Sequence, residues 1–275
     1  MTQTIGFTVG GERVPLKVGA EIIRGEQTVL LDHDDDLTAG TLWAGQGYTI
    51  APFLDDEHSE QMERCIGGIV AGLLEKADVP VNDIFRLDKY HEFVSSEQEH
   101  LTVVQGFRGG FPADRLPFDK RVIEDRVSEI CGVGVTCFNP SMQEEMWGFR
   151  ISRPGCMTDS NPPHRDVYLD RLRNAVNIYG PIAGSNSRSS LPLIPGSHFW
   201  PESEIERTAS GATMNGASYT VPCITSGRGL PLDLMRPDPA RDEVMVFSPY
   251  LVHGGAYNLN SDVTRVSLEM RFWRK

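Results

Sequence analysis

With 275 residues, 40% of them hydrophobic and 23% charged, the chain can bury a full core, and its length suits one all-β or barrel domain over 1–275. A formal charge of -12 argues against broad binding to nucleic acid or to an anionic membrane, since both need a large basic surface. Five cysteines without CxxC spacing, no basic-then-apolar leader and no apolar run of membrane-spanning length predict a soluble cytoplasmic protein with reduced thiols.

Residues 4–9 and 13–18 alternate around Gly10-Gly11 and predict a β-hairpin, part of an N-terminal β-rich addition over 1–45. His33-Asp34-Asp35 lies in the acidic run 32–36 and reads as a solvated turn. A short strand at 47–50 precedes a helix capped by Asp55 or Asp56, with Met62, Ile66, Ile69, Val70, Leu73 and Leu74 on one stripe. A second helix spans about 119–130, with Val122, Ile123, Val127 and Ile130 inward and Gly132 and Gly134 ending it. Residues 46–132 are thus a buttressing block. His58, His91 and His100 fall within it, have no partner at ligand spacing and are expected at the surface.

From Val133 the helical period disappears. Short apolar segments at 135–139, 145–152, 164–169, 174–179, 191–194, 243–248 and 264–273 alternate with Gly, Pro, Asn and Ser clusters, as in strands closing into a sandwich or barrel. The stretch 201–239 is rich in Ser, Thr, Gly and Pro, shows little apolar periodicity, and is expected to be a mobile cover over the mouth of the barrel that selects the substrate and excludes water.

His164-Arg165-Asp166 stands in the middle of the chain, and His253 follows in Phe-Ser-Pro-Tyr-Leu-Val-His-Gly-Gly. His-x-Asp on an extended segment places both side chains on one face. Two imidazoles and one carboxylate can take one face of an octahedral metal and leave the other open, the ligand set of a non-haem Fe(II) oxygenase.

Read in order, Arg153-Pro154-Gly155, His164-Arg165-Asp166, Ile194-Pro195-Gly196-Ser197-His198, the segment 242–247, His253-Gly254-Gly255, Asn258 and Arg265 resemble the phytanoyl-CoA dioxygenase family of Fe(II)/2-oxoglutarate oxygenases, from about Gly47 to the C-terminus. The resemblance implies a mainly β fold with flanking helices, a cupin-like double-stranded β-helix or jelly roll, over 133–275. It implies that His164, Asp166 and His253 ligate Fe(II). It further implies that 2-oxoglutarate and O2 are cosubstrates, with release of succinate and CO2, and that Arg265 grips the distal carboxylate of 2-oxoglutarate. A guanidinium suits that task because its planar fork makes two parallel charge-assisted hydrogen bonds. Arg271, on the same face of the last strand, is the rival for the role. Asn177 is expected to face the cosubstrate, Trp147 to line the pocket, Asn258 to steady the loop after His253, and His198 to be structural.

Related halogenases replace the carboxylate ligand with a small residue, so Asp166 favours hydroxylation or another outcome of hydrogen abstraction. A metal-binding jelly roll without turnover, or a zinc hydrolase on the same ligands, stays open. Arg150, Arg153, Arg165, Arg171, Arg173 and Arg188 crowd the metal motif and hint at an anionic small-molecule substrate, with no nucleic-acid or membrane partner. Substrate identity and oligomeric state are not legible.

Overall fold

Gly10 and Gly11, at φ 55° and 84°, turn the chain between β1 (Thr2–Val9) and β2 (Glu12–Gly19), which pair antiparallel from Thr2↔Gly19 to Val9↔Glu12. Consecutive positive φ values are what a tight hairpin demands and what glycine supplies without a Cβ clash. The computed structural model describes residues 2–107, 115–145, 147–214 and 217–275. Alternation along β2 buries Val14, Leu16 and Val18 beside Phe7 and Val9. A short strand β3 (Ile22–Arg24) follows, and β4 (Tyr48–Pro52) opens the main body.

Helix α1 (Asp56–Lys76) starts where the Asp55 carboxylate accepts the backbone N–H of His58 at 2.8 Å, and it buries Met62, Ile66, Val70 and Leu74. The sequence pattern did not reveal α2 (Glu97–Phe107), whose fully buried residues are His100 and Val103, too few for a visible stripe. Its start was nevertheless written as a Ser-x-x-Glu capping box: Ser96 Oγ accepts from Glu99 N, and the Glu99 carboxylate accepts from Ser96 N. Helix α3 (Arg121–Cys131) ends at Gly132, φ 68°.

After the short strands β5 (Val135–Thr136), β6 (Phe138–Asn139) and β7 (Glu144–Glu145) come β8 (Phe149–Ser152) and β9 (Ala175–Ala183). The stretch 201–239, expected to be irregular, carries β10 (Ile205–Thr208), β11 (Ala212–Met214), β12 (Ala217–Tyr219), β13 (Ile224–Gly227) and β14 (Asp233–Leu234). Strands of two to four residues are too short a run to show a period of two. The chain closes with β15 (Glu243–Phe247) and β16 (Arg265–Arg274).

The large sheet runs β4-β15-β9-β16-β5, with β8 also on β16. Its outer face is apolar: Val176, Ile178, Val244, Val246, Val266, Leu268, Met270 and Phe272 pack in one core with the buried stripes of α1 and α3. Residues of opposite parity, among them Asn177, Tyr179, Met245, Phe247, Arg265, Ser267, Glu269 and Arg271, face the interior of the roll. A second sheet, β12-β11-β2-β1-β14, and a third, β13-β10-β3, meet over another core in which Phe7, Val9, Val14, Leu16 and Val18 join Ile205, Cys223, Ile224, Leu234 and Val252. The N-terminal hairpin is therefore a wall of that core, bonded to strands from 201–239. The architecture is a mainly β jelly roll buttressed by helices.

Two segments expected as strands, 164–169 and 191–194, are held instead by isolated bridges, His164↔His253, Leu193↔His253 and Leu193↔Met235. Pro162 and Pro163 precede the first, Pro192 interrupts the second and Pro195 follows it; proline has no N–H to extend a ladder. Residues 166–168 form a 3-10 turn. All five cysteines are free thiols, with burial pushing Cys131, Cys137 and Cys223 up to about 12. No helix among the described residues is long and apolar enough to cross a membrane.

Candidate metal centre

His164 and His253 are clamped backbone to backbone, each N–H donating to the other's carbonyl at 2.8 and 3.0 Å. Their ring centroids lie 4.4 Å apart. Gly254 allows this approach: at φ 106°, a Cβ there would sit 2.3 Å from the Pro162 carbonyl oxygen and 3.0 Å from His164 Nδ1. Each imidazole has Nδ1 on a carbonyl, His164 on Pro162 at 2.6 Å and His253 on Leu251 at 2.9 Å. A carbonyl can only accept, so Nδ1 carries the proton and the Nε2 lone pairs face inward. Burial first, and the neighbouring His164 second, lower His253 to about 4, against the opposing pull of Asp166. At neutral pH it is an uncharged donor.

Asp166 is oriented by its own N–H on the Pro249 carbonyl. One carboxylate oxygen, Oδ1, points at the imidazoles, 3.2 Å from His164 Nε2 and 3.8 Å from His253 Nε2. The other, Oδ2, accepts from Arg271 through Nε and Nη2 at 2.8 Å each and from Asn177 Nδ2 at 3.0 Å. Burial pushes the carboxyl up, but Arg271 and the two histidines outweigh it and hold Asp166 well below the usual carboxylate range. The two oxygens thus have separate tasks: one is taken by fixed cationic and amide donors, the other is free for a metal. His164, Asp166 and His253 offer donor atoms all within 4.8 Å of one another, the one such group among the described residues. Two imidazole Nε2 atoms and one monodentate carboxylate on one side fit Fe(II) with open positions opposite.

Arg265 is fully buried on β16. Its Nη1 donates to the Ser189 carbonyl at 3.0 Å, and its guanidinium lies 5.7 Å from the Tyr179 ring centroid. Nε and Nη2, the edge that grips a carboxylate bidentately, have no hydrogen-bond partner. Glu269 Oε1 stands 3.9 Å from Nη2, beyond hydrogen-bonding range, because Arg150 Nε holds Oε2 at 2.9 Å and Ser267 Oγ lies 3.3 Å from Oε1. A buried cation with its fork unpaired is costly, and a carboxylate of a small acid is the group that fits it.

A cavity of ≈ 40 Å³ adjoins the triad, lined among others by Arg150, His164, Asn177, His253, Glu269 and Arg271. Asn177 joins the triad through Asp166, while its Oδ1 remains unpartnered. Trp147, expected at the pocket, instead packs in the core between the large sheet and the helices, with its indole N–H 3.3 Å from a Glu145 oxygen. Asn258 Nδ2 bridges the Ser152 and Val263 carbonyls. His198 Nε2 lies 2.9 Å from the Ala44 carbonyl, away from the triad.

His33, Asp34 and Asp35 are exposed, His58 pairs with Asp55, and His91 is half-buried against Thr264. His100 corrects the surface expectation: it is buried between the Tyr90 hydroxyl and Asp159, 3.3 Å from the latter, because α2 turns its inner face to the β8 region. Of the six clustered arginines, only Arg150 lines the inner cavity. Arg153 is taken by Asp159 and Glu97, Arg165 by Glu202, Arg173 by Asp170 and Arg188 by Glu12.

From the sequence Arg271 is only a rival anchor, and Glu269 has no role. The signal was the polar alternation Arg265, Ser267, Glu269, Arg271 between apolar neighbours on β16. If Arg271 fixes Oδ2 of Asp166, Arg271→Ala lowers metal affinity about 10- to 100-fold, as measured by anaerobic Fe(II) titration. Arg271→Lys, which lacks the planar fork, restores little of it. Wild-type affinity in Arg271→Ala would remove this role.

No protein-family model matches the chain, and no curated protein matches it. Among solved structures, the chain is similar to AviO1 from Streptomyces viridochromogenes Tue57, with 15% identity over 90% of this chain and 96% of that one and a TM-score of 0.43. It is also similar to EctD from S. alaskensis, solved with 2-oxoglutarate and 5-hydroxyectoine (14% identity, 93% and 84% covered, TM-score 0.45). A third similar structure is SnoN, a non-heme alpha ketoglutarate dependent epimerase from nogalamycin biosynthesis (12% identity, 84% and 79% covered, TM-score 0.41).

Proposed function

We propose that the chain, as one domain over 1–275, is an Fe(II)- and 2-oxoglutarate-dependent dioxygenase of the phytanoyl-CoA dioxygenase type. It oxidises a C–H bond of a small molecule, with hydroxylation as the ordinary outcome. The observation that carries this reading is the pairing of two features in one roll: a triad whose histidine tautomers and carboxylate oxygens are fixed in advance, and a buried guanidinium whose carboxylate-gripping edge has no hydrogen-bond partner.

Fe(II) and 2-oxoglutarate supply the oxidising power when bound, with dioxygen as the second cosubstrate. The protein's part is positioning. His164 and His253 present Nε2, Asp166 presents Oδ1, and Arg271 with Asn177 keeps that carboxylate from rotating. Arg265 takes the distal carboxylate of the cosubstrate, and Arg150 with Ser267 keeps Glu269 from competing for it. Tyr179, Leu191, Leu193, Phe247 and Ala256 surround the site with apolar surface that excludes water.

A zinc hydrolase would use the same three ligands but has no task for the unpaired edge of Arg265, and a metal-binding protein without turnover has none either. Anaerobic addition of Fe(II) and then 2-oxoglutarate tests the proposal. A weak visible charge-transfer band that needs both components is the expected result. Tight Zn(II) binding with no band and no succinate formation would overturn it.

A further inference from the structure

A second, larger cavity of ≈ 510 Å³ lies between α2, β8 and β12. Two of its lining residues, Arg150 and Asn161, also line the inner cavity, so the two chambers meet there. Its volume is in the range of small-ligand pockets, roughly 300–1,000 Å³. One wall is apolar, formed by Leu101, Val104 and Phe107 of α2 and Phe149 of β8, and Tyr219 of β12 stands opposite.

The charges on that wall are mostly committed. Glu97 and Asp159 are held by Arg153 at 2.5 and 2.8 Å, and Asp159 also lies 3.3 Å from His100. Arg150 differs. Its side chain keeps 28% of its surface exposed, and it reaches Glu269 through Nε and the Asp159 carbonyl through Nη1 at 3.4 Å. Around the inner cavity, three arginines, Arg150, Arg265 and Arg271, face two carboxylates, Asp166 and Glu269. A divalent metal and a dianionic cosubstrate would cancel each other, so the arginines stay in excess. Arg271 is paired with Asp166 and Arg265 is reserved for the cosubstrate, whereas Arg150 holds Glu269 through Nε only, and its Nη nitrogens, at the junction, make no hydrogen bond to a carboxylate.

We propose that the outer cavity is the substrate chamber and that it takes an amphipathic organic anion, with its apolar body against α2 and one carboxylate-like or phosphate-like group on Arg150. The oxidation of this ligand rests on the dioxygenase reading; its binding does not. Arg150 is then a specificity-determining residue. It holds the anion where the chambers meet and directs the adjoining carbon toward the triad.

The test is calorimetric titration of the metal-free protein with octanoate, 1-octanol and octylamine, in the wild type and in Arg150→Gln, Arg150→Lys, Arg265→Gln and Val104→Trp, each first checked for a cooperative melt. Octanoate is expected to bind the wild type at least about tenfold more tightly than 1-octanol, the scale of one charge-assisted contact. Arg150→Gln erases that preference and Arg150→Lys retains part of it. Arg265→Gln leaves it intact, which excludes the cosubstrate anchor as the octanoate site. Val104→Trp, which fills the chamber, weakens both ligands. Octanoate no tighter than 1-octanol, octylamine as the tightest ligand, or an unchanged preference in Arg150→Gln would each overturn the proposal. The charge-transfer band, recorded on the same proteins, separates the two readings. A band without octanoate preference sinks the chamber alone, and preference without a band sinks the oxygenase alone.

Discussion

On the dioxygenase reading, alanine at His164, Asp166 or His253 is expected to abolish succinate formation from 2-oxoglutarate, because each substitution removes one of three donor atoms already aligned within 4.8 Å of one another. The alignment comes from the backbone clamp and the two Nδ1–carbonyl bonds, so a water in place of a lost donor cannot reproduce it. The three variants differ in a second respect. Asp166→Ala also strands the Arg271 fork and the Asn177 amide, so it lowers stability by about 1–3 kcal/mol, less than for a fully buried pair because Arg271 keeps some solvent contact. Fe(II) titration, turnover and denaturant unfolding on one set of proteins check this. Full activity in any one variant would strike that residue from the triad.

Arg265→Ala is the other large effect. On the same reading it is expected to weaken 2-oxoglutarate binding by about 2–5 kcal/mol, the cost of leaving one member of a desolvated charged pair unmatched. Fe(II) affinity changes far less, since Arg265 makes no bond to any of the three donor residues. The ligand-free protein should lose little stability, because the substitution also removes a buried cation whose Nε and Nη2 lack partners. The two arginines of β16 therefore separate by readout: Arg271→Ala acts on the metal constant and Arg265→Ala on the cosubstrate constant. A wild-type 2-oxoglutarate constant in Arg265→Ala, together with a raised one in Arg271→Ala, would show that the roles are reversed.

The motif order named the three donors, and the structure gathers them although Asp166 and His253 are far apart in the chain. Their environment was not legible in the same way. Trp147 could be placed in a pocket or in a core with equal ease from its neighbours, and the choice depends on which face of the sheet receives it. His100 has no partner at ligand spacing and so is expected at the surface, and two buried residues give α2 no visible stripe, although Ser96 and Glu99 announce a helix start.

Local rules were enough wherever a signal is complete within a few residues. The consecutive glycines between β1 and β2, the Asp55 cap and long stripe of α1, the Gly132 stop of α3 and the alternation along β16 all belong to this class, because turn dihedrals, caps and periodicity are properties of neighbours in the chain. The tertiary structure alone decided what depends on distant partners. It split the two oxygens of Asp166 between metal side and Arg271, left the fork of Arg265 unpaired, and made strands of 201–239 by giving Ile205, Cys223, Ile224 and Leu234 a core to share with the N-terminal hairpin. Segments of two to four residues have no stable conformation of their own; they become strands only when neighbouring backbone supplies their hydrogen bonds and neighbouring side chains cover their apolar face.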